Sequence, residues 1–329
     1  MAHILVDTAN TFFRARHVIR GDTSEKVGMA IHIMMNSIKK AWQDFGGTHV
    51  VFCLEGRSFR KDLYAPYKRN RKEMADAMTE KEKEENEVFW EVYDDFCDFI
   101  QTKTNTTVLR NPRTEADDLI ARWIDKHPDQ NHVIISTDKD LNQLITPRVK
   151  QYNGVNETTL THEGWFDSKT GKPVIDKKLK APKPAPDTEW IIFEKAMRGD
   201  SSDNIFSAYP GVRTKGTKNK IGLQEAFADR HDKGYTWNNL MLSKWVDHDG
   251  NEHRVLEDYE RNRALVDLHA QPEAIIEELD QTIAQAKSEN KSIDQVGIRF
   301  MRFCSKYDLN RISEQAQLYV EPFNARLSI

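Results

Sequence analysis

Two arrangements of apolar residues alternate along the first half of this 329-residue chain. Short unbroken runs, HILVD, HVVFCL, TVLR and HVII, predict buried strands. The segments between them, such as 24–47 and 79–100, repeat apolar residues every three or four positions and predict helices that bury one face. Strands that alternate with helices in this way predict an α/β fold, with a mainly parallel central sheet flanked by helices.

The pattern changes in the second half of the chain. Residues 167–187, DSKTGKPVIDKKLKAPKPAPD, are rich in lysine and proline and predict a loop. From Asp187 onward helical spacing dominates. We therefore predict an α/β domain over residues 1–184 and a helical region over residues 185–329.

Composition narrows the class of protein. Apolar residues make up 38% of the chain, which is enough for a substantial core. The cysteines, Cys53, Cys97 and Cys304, are far apart and form neither a zinc motif nor a disulfide framework, which favours a reducing, intracellular setting. No apolar run approaches a membrane span, and the opening residues MAHILVD are not those of a signal peptide, so we expect a cytoplasmic protein that does not bind membranes.

Acidic residues follow the ends of the predicted strands. In a parallel sheet the carboxyl ends of all strands lie at one edge, where ligands bind. A helix that follows a strand after a short loop begins at the same edge, and Asp200 and Asp203 are spaced to share a helical face. We therefore expect a set of acids to converge there: Asp7, Glu55, Glu115, Asp117, Asp118, Asp138, Asp140, Asp200 and Asp203.

The stretch TEADDLIARWID, residues 114–125, has a simpler interpretation when it is taken alone. Thr114 and Asp117 match a capping box, and acids stabilise a helix N-terminus. A cap contributes only about 0.5–2 kcal/mol, whereas two unit charges about 4 Å apart repel by roughly 4 kcal/mol at a dielectric constant near 20. A cluster of acids therefore needs a counter-charge. Oxygen ligands without histidine or cysteine favour Mg²⁺ or Mn²⁺, and two such ions could clamp a phosphodiester for in-line attack by water.

Positive charge is concentrated in two stretches. The basic segment, residues 57–72 (RSFRKDLYAPYKRNRK), could contact phosphates and stack on bases, although a solvated linker would have the same composition. The lysine turn, residues 210–222 (PGVRTKGTKNKIG), offers backbone amides and lysines to phosphates. The candidate nucleic-acid contacts are Arg57, Arg60, Lys61, Tyr67, Lys68, Arg69, Arg71, Lys72, Lys215, Lys218 and Lys220.

The order of the motifs VDTANTFFR, FCLEGRSFRKDLYAPYKRNR, TEADDLIA, ISTDKDLNQL and MRGDSSDN resembles the 5′-nuclease superfamily of flap endonucleases and 5′–3′ exonucleases. The resemblance is closest to the bacteriophage members, notably the ribonucleases H of T-even phages. It implies a central sheet with an acidic site for two Mg²⁺ ions, which Mn²⁺ can replace. It also implies a helical arch over about residues 57–103 and, within residues 185–329, a helix–turn–helix-like element that grips duplex DNA.

The resemblance assigns roles to individual residues. Lys68 and Arg71 fall on the basic arch residues that contact the scissile phosphate, and Tyr67 falls where a residue can stack on the terminal base. Eight acids fall on the metal-site carboxylates of the family: Asp7, Glu115, Asp117, Asp118, Asp138, Asp140, Asp200 and Asp203.

Two departures from the family pattern concern this site. Aspartate is usual where this chain has Glu55 or, with a different gap, Cys53, and glutamate is one methylene longer. The turn after Gly211 differs from the tight glycine hairpin of the family, to which a potassium site belongs. Glu55 is therefore a ninth candidate ligand, and the sequence gives no basis for a monovalent-ion site.

These observations predict a Mg²⁺-dependent enzyme that cleaves phosphodiesters at 5′ flaps, nicks or RNA primers on duplex DNA during phage replication. The implied partners are branched or nicked duplex DNA, RNA–DNA hybrids for a ribonuclease H activity, and a single-strand-binding protein or clamp. We expect a monomer that works in the cytoplasm of a bacterial host. The alternatives are a sequence-independent 5′–3′ exonuclease on duplex DNA and a structure-specific DNA-binding protein without catalysis. An acidic edge would repel phosphate, which argues against the last.

Overall fold

A seven-stranded sheet is the centre of the computed structural model, which describes residues 2–16 and 21–328. Its strands are β1 Ala2–Asp7, β2 Gly47–Leu54, β3 Thr107–Arg110, β4 Asn131–Ile135, β5 Val149–Asn153, β6 Thr158–Thr161 and β7 Gly164–Asp167. Two separate antiparallel pairs are formed by β8 Ile175–Asp176 with β9 Ala181–Pro182 and by β10 Lys244–Val246 with β11 Glu252–Arg254. The order across the sheet is β3-β2-β1-β4-β5-β6-β7. Pairing is parallel from β3 to β5 and antiparallel from β5 to β7.

Helices cover both faces of this sheet. The α-helices are α1 Thr8–Arg16, α2 Thr23–Phe45, α3 Arg60–Leu63, α4 Arg69–Asp76, α5 Glu80–Thr102, α6 Ala116–Lys126, α7 Thr188–Arg198, α8 Leu223–Ala228, α9 Tyr235–Met241, α10 Val255–Val266, α11 Glu273–Glu289, α12 Val296–Lys306, α13 Asn310–Ser313 and α14 Ala316–Asn324, and a 3-10 helix spans Asp140–Leu144. Ile4 and Val6 of β1 pack in a core with α2 and α5, whereas His3 points to the opposite face and contacts Trp123 of α6. The predicted α/β fold, with a mainly parallel sheet flanked by helices, is confirmed. Among the described helices, none is both long and apolar enough to cross a bilayer.

Local sequence signals set the ends of several elements. At the start of α5, Thr79 Oγ1 accepts the N–H of Glu82 at 3.3 Å and Glu82 Oε2 accepts the N–H of Thr79 at 2.8 Å, which is the predicted capping box. Helix α2 ends at Gly46, whose φ of 61° lies in the left-handed region that favours glycine. Residues 167–187, predicted as a loop, instead contain the hairpin β8–β9, because the Asp176 side chain supports its turn by accepting backbone N–H groups.

The chain divides into two units that do not follow the predicted domain boundaries throughout. The sheet unit comprises Met1–Ser58, Met78–Ala185 and Glu273–Ile329, and the helical unit comprises Phe59–Ala77 and Pro186–Pro272. Helices α11 to α14, expected within the helical region 185–329, therefore belong to the sheet unit. Their apolar faces account for this placement: the rings of Phe99 on α5 and Phe303 on α12 stack with centroids 4.5 Å apart.

The helical unit has a core of its own, centred on Phe193 of α7. The ring centroids of Phe227, Trp237 and Tyr259 lie 5.2, 6.0 and 5.7 Å from that of Phe193. These aromatic contacts join α7 to α8, α9 and α10. Because this core contains rings from four helices, the residues that α7 and its following loop carry are held on a packed scaffold.

Histidines line the amino-terminal edge of the sheet. His3 on β1 pairs in register with His49 on β2 and His132 on β4, with ring centroids 6.4 and 5.7 Å apart. All three are buried. Burial lowers the pKa of His3 to about 3 and the pKa values of His49 and His132 to about 4. Trp123 Nε1 donates to Nδ1 of His3 at 3.2 Å, which requires that nitrogen to be unprotonated.

This histidine row predicts that the protein loses stability in mild acid. The unfolded chain binds protons near pH 6.5, whereas the folded chain resists protonation until a much lower pH. Stability is therefore fully present above pH 6.5 and is lost as the pH falls toward 4. We expect each of the three histidines to contribute a loss of about 2 kcal/mol between pH 7 and pH 5, measured by urea denaturation.

Two glutamine variants control this prediction. His132→Gln should flatten the dependence of the unfolding free energy on pH, whereas His162→Gln, at an exposed position, should leave it unchanged. The same pH dependence in the wild type and in His132→Gln would contradict the prediction.

Candidate functional site

Seven of the candidate carboxylates belong to the sheet unit and follow the strand ends. Strand β1 pairs in parallel with β2 and β4, and Asp7 at the end of β1 lies opposite Cys53. Glu55 directly follows β2, and Asp138 follows β4 after a two-residue gap. We call this set the acidic edge: Asp7, Glu55, Glu115, Asp117, Asp118, Asp138 and Asp140.

Hydrogen bonds connect three of these residues through the loop after β4. Ser136 Oγ donates to Asp7 Oδ2 at 2.8 Å and accepts the N–H of Asp138 at 3.0 Å. Asp138 Oδ1 in turn accepts the N–H of Asp140 at 2.8 Å. Gln151 on β5 donates to the carbonyl oxygens of Ser136 and Asp138, which holds this loop against the sheet. The carboxylates are therefore fixed in place by their own loop.

The surroundings of Asp7 disfavour its negative charge. Burial, together with the charges of Glu55 and Asp138, raises the pKa of Asp7 to about 7. Hydrogen bonds from Ser136 Oγ and the Asn10 N–H favour the charged form but do not offset burial. Near neutral pH, Asp7 therefore either holds a proton or needs a nearby cation, which is the electrostatic condition expected of a metal site.

The acids at the start of α6 form a cap and a cluster at the same time. Glu115, not the predicted Thr114, is the N-cap residue, and its N–H donates to Asp118 Oδ2 at 3.1 Å. Glu115, Asp117 and Asp118 each present a carboxylate oxygen within 4.8 Å of the others. Ser58 Oγ donates to Glu115 Oε2 at 2.9 Å. Capping and clustering, which were alternatives at the level of the sequence, therefore coexist.

Glu55 reaches the same helix start. Its Oε2 accepts the N–H of Ala116, the first residue of α6, at 3.2 Å. Gly56 permits this close approach, because a Cβ there would collide with the carbonyl oxygen of Asn111. Cys53 is buried, and burial together with the neighbouring carboxylates raises the pKa of its thiol, which makes it a poor metal ligand. Of these two residues, Glu55 is thus the one that places a carboxylate oxygen at the start of α6.

The donor set of the acidic edge fits a hard divalent cation. Its members offer carboxylate oxygens, the ligands that Mg²⁺ and Mn²⁺ prefer. The three acids at the start of α6 already lie close enough to share an ion. A cation beside Asp7 would likewise offset the burial and the neighbouring negative charges that raise the pKa of Asp7.

Asp200 and Asp203 lie in the helical unit and have cation partners there. Lys195 Nζ lies 2.7 Å from Asp200 Oδ2. Although burial opposes the charge, hydrogen bonds from Lys195 and a neighbouring serine lower the pKa of Asp200 to about 2. Asp203 Oδ1 lies 2.9 Å from Arg71 Nη2 and 3.9 Å from Lys68 Nζ. These two aspartates are therefore members of ion pairs within their own unit.

Burial divides the predicted nucleic-acid contacts into two groups. Arg60 is 1% exposed and its Nε donates to the carbonyl oxygen of Leu265, and Tyr67 is 4% exposed within the core of the helical unit. Their burial conflicts with the prediction that they contact nucleic acid, because neither side chain reaches the surface. Lys68 is half-buried. The exposed cations are Arg57, Lys61, Arg69, Arg71, Lys72, Lys215, Lys218 and Lys220.

Glu225 holds the lysine turn in shape. Its two carboxylate oxygens accept the N–H of Gly216 at 3.1 and 3.0 Å, and Oε2 also accepts the N–H of Gly222 at 2.9 Å. A Cβ on Gly222 would collide with the Gly216 nitrogen, because the two sides of the turn are in backbone contact at these glycines. Two of the amides predicted to bind phosphate are thus occupied, and phosphate binding by this turn would depend on its exposed lysines.

Four residues that shape these sites were not predicted from the sequence: Ser58, Ser136, Lys195 and Glu225. Each acts on a partner through a contact that periodicity does not reveal. Ser136 and Asp7 are 129 positions apart, and Ser58 and Glu115 are 57 apart. Ser136 lies within the motif ISTDKD, and a hydroxyl beside clustered acids is the signal that could have identified it.

Without divalent cations, Asp7→Asn should raise the melting temperature at pH 8 and leave it nearly unchanged at pH 4. Ionisation of Asp7 penalises the fold, and the penalty grows as the pH rises from the ordinary pKa of 3.8 to about 7. Asparagine removes the charge at almost the same volume. Thermal unfolding in EDTA measures the effect, with the exposed Asp129→Asn as control. A lower melting temperature for Asp7→Asn at pH 8 would contradict the penalty assigned to the buried charge of Asp7.

Comparison with known proteins agrees with this geometry. The family described as 5′–3′ exonuclease, N-terminal resolvase-like domain, matches residues 2–171. The chain is 28% identical over 242 residues to the DNA polymerase I of Rhizobium leguminosarum, which covers 68% of this chain but only 20% of that protein. It is 27% identical over 230 residues to the flap endonuclease of Escherichia phage T5, which covers 69% of this chain and 70% of that protein.

The solved structure of the phage T5 flap endonuclease in a pseudo-enzyme-product complex with DNA and metal ions shares the fold. Its TM-score is 0.57 at 20% sequence identity, and the match covers 87% of this chain and 100% of that one. Because the family match spans more than half of its residues, the chain belongs to the 5′–3′ exonuclease family of the 5′-nuclease superfamily.

Proposed function

We propose that the chain is a divalent-metal-dependent 5′-nuclease that cleaves phosphodiesters at 5′ flaps, nicks or RNA primers on duplex DNA. The observation that carries the proposal is the acidic edge, where Asp7 has a pKa raised to about 7 beside Glu55 and Asp138. Membership of the 5′–3′ exonuclease family supports nucleic acid as the substrate. The related T5 structure with DNA and metal ions supports a site that combines both.

Two Mg²⁺ ions, which Mn²⁺ can replace, are the cofactors in this proposal. The acidic edge would hold them in the sheet unit, and Asp200 and Asp203 are further proposed ligands. When bound, such ions make water a better nucleophile and neutralise charge on the phosphate.

The protein's own hydrogen bonds prepare the carboxylates for this task. Ser136 orients Asp7 and Ser58 orients Glu115, so their oxygens are fixed without a cation. Loss of such a supporting contact typically lowers metal affinity by about 10–100-fold. The proposed ligands are thus parts of a prepared site.

Lys68 and Arg71 are the proposed catalytic cations. The phosphate gains negative charge during attack, so a cation beside it stabilises the transition state more than the ground state. The proximity of both side chains to the carboxylate of Asp203 supports a role beside negative charge.

The exposed cations of the basic segment and the lysine turn are the proposed contacts to duplex DNA. Contacts to the phosphate backbone carry no sequence information, which suits an enzyme that selects structure. The proposal extends to RNA–DNA hybrids cleaved by a ribonuclease H activity, to a single-strand-binding protein or clamp as partner, and to a monomer in a bacterial host during phage replication. The contacts proposed are Arg57, Lys61, Arg69, Lys72, Lys215, Lys218 and Lys220.

The family description favours a second candidate, a sequence-independent 5′–3′ exonuclease that degrades duplex DNA from its ends. The two activities differ in their products. Flap cleavage releases an intact oligonucleotide, whereas exonucleolytic degradation releases mononucleotides or very short fragments.

Cleavage of 5′-labelled flap, nicked and RNA-primed duplexes should require Mg²⁺ or Mn²⁺ and stop in EDTA. Asp118→Asn and Asp138→Asn should each reduce the rate strongly because both remove charge from the acidic edge, while circular dichroism shows an unchanged fold. Asp129→Asn, at an exposed position outside this edge, is the matched control. Restoration by Zn²⁺ alone, or near-normal rates in both edge variants, would refute the proposal.

Lys68→Ala should lower single-turnover cleavage by about 10²–10³-fold while weakening duplex binding, measured with Ca²⁺ in place of Mg²⁺, much less. Other backbone contacts compensate the lost affinity, but not the lost transition-state charge. Arg71→Ala should behave similarly and less severely. Lys72→Ala, which removes the same charge from an exposed site on α4, should affect binding and rate about equally. Equal losses of rate and affinity in Lys68→Ala would mean that Lys68 only binds DNA, and would contradict its proposed catalytic role.

A further inference from the structure

The basic segment is fastened to the loop that follows α7, within the helical unit. The N–H of Lys68 donates to the carbonyl oxygen of Asp203 at 2.8 Å. The side chains of Asn70 and Asn204 each donate to a carbonyl oxygen across this contact, at 3.2 and 2.7 Å. Lys68 has a φ of 54°, a left-handed conformation that is uncommon for lysine. The surrounding bonds therefore determine where the basic segment lies.

One carboxylate is at the centre of this contact. Asp203 is 8% exposed, and its Oδ1 lies 2.9 Å from Arg71 Nη2 and 3.9 Å from Lys68 Nζ. Arg71 is the more exposed of the two cations, with 59% of its side chain accessible against 14% for Lys68. Arg69, on the same helix α4, is 74% exposed, and its ion pair is with Glu73 at 4.0 Å.

Two proposed roles for Asp203 are therefore in conflict. As a metal ligand its carboxylate would have to share one negative charge between a divalent cation and Arg71, whose Nη2 donates to Oδ1. A guanidinium and a divalent cation at one carboxylate group repel each other strongly, because like charges about 4 Å apart interact by several kcal/mol at moderate dielectric. Asp203 therefore cannot bind Arg71 and a divalent cation at the same time as strongly as it would bind either one alone.

We propose that Asp203 exchanges partners: it holds Arg71 in the cation-free protein and releases Arg71 when it becomes a ligand of a divalent cation. Lys68 keeps its place through its backbone bond to Asp203. Arg71, exposed and at the start of α4, then becomes available to a phosphate. Loading of the metal and presentation of the catalytic cation are thereby coupled through one side chain. This inference depends on the proposed function of the site.

Isothermal titration of the DNA-free protein with Mg²⁺ tests the exchange. Arg71→Gln removes the competitor of the cation, so Mg²⁺ should bind about two- to fivefold more tightly, the size expected of a partly exposed ion pair. Arg69→Gln removes the same charge from the same helix without touching Asp203 and should bind Mg²⁺ as the wild type does. The pair of variants therefore separates the local contact from the general effect of net charge.

A double-mutant cycle adds a second measurement. In the background of Asp203→Asn, Arg71→Gln should no longer change the Mg²⁺ affinity, because the shared carboxylate is absent. Hydrogen exchange at the amides of residues 69–72 should become faster when Mg²⁺ is added to the wild type and should not change in Asp203→Asn. Neither measurement depends on catalytic activity.

The outcomes separate this inference from the proposed function. If the wild type and all variants fail to bind Mg²⁺, the metal-dependent function itself is wrong. If the wild type binds Mg²⁺ but Arg71→Gln and Arg69→Gln have equal affinities, only the exchange is wrong. Weaker binding in Arg71→Gln would mean that Arg71 supports the cation instead of competing with it, which would also overturn the exchange.

Discussion

The burial of a carboxylate beside other carboxylates, at the ends of parallel strands, is the constraint on which the acidic edge of the sheet unit depends. Parallel pairing of β1 with β2 and β4 brings Asp7, Glu55 and Asp138 to one edge, whatever their charges. Ser136 offsets part of the cost by donating to Asp7, but the pKa of Asp7 still rises to about 7. A fold that is penalised in this way gains stability when a cation binds, so that metal binding and folding are linked.

The same sheet carries a second titratable row at its opposite edge. His3, His49 and His132 are buried in their neutral forms, and they oppose the uptake of protons as Asp7 opposes their loss. The histidines therefore reduce the stability of the sheet unit as the pH falls from 6.5 toward 4, whereas Asp7 reduces it as the pH rises from 3.8 to about 7. A divalent cation beside Asp7 would relieve only the second effect. It would therefore add stability at and above neutral pH, where Asp7 would otherwise carry its charge without a partner cation, and would leave the effect of the histidines unchanged.

Much of the fold can be predicted from hydrophobic periodicity, because the spacing of apolar residues indicates which face of each element is buried. The runs around Ile4 and Val50 predict the parallel strands, and strand ends then locate acids such as Asp7. Hydrophobic periodicity could not predict the burial or the contacts of side chains whose partners are distant in the sequence. Arg60 belongs to a basic, aromatic stretch typical of a nucleic-acid contact, yet its bond to Leu265 buries it. The N-cap of α6 is Glu115, one residue after the predicted Thr114, and this acid belongs both to the helix start and to the carboxylate cluster.

The contrast between Asp7 and Asp200 shows why residue type and motif are not sufficient to assign a ligand. Both are aspartates in family motifs, yet burial and two carboxylates raise the pKa of Asp7 to about 7, whereas Lys195 helps to lower that of Asp200 to about 2. A cation near Asp7 would offset its burial and the neighbouring negative charges, while a cation at Asp200 would compete with an ammonium group 2.7 Å away. Equal donor chemistry should therefore give unequal affinity for a metal ion. In the helical unit, a metal ion would have to bind a carboxylate more strongly than the lysine or arginine already paired with it. Lys68 and Arg71, which we propose as catalytic cations, are among those paired residues.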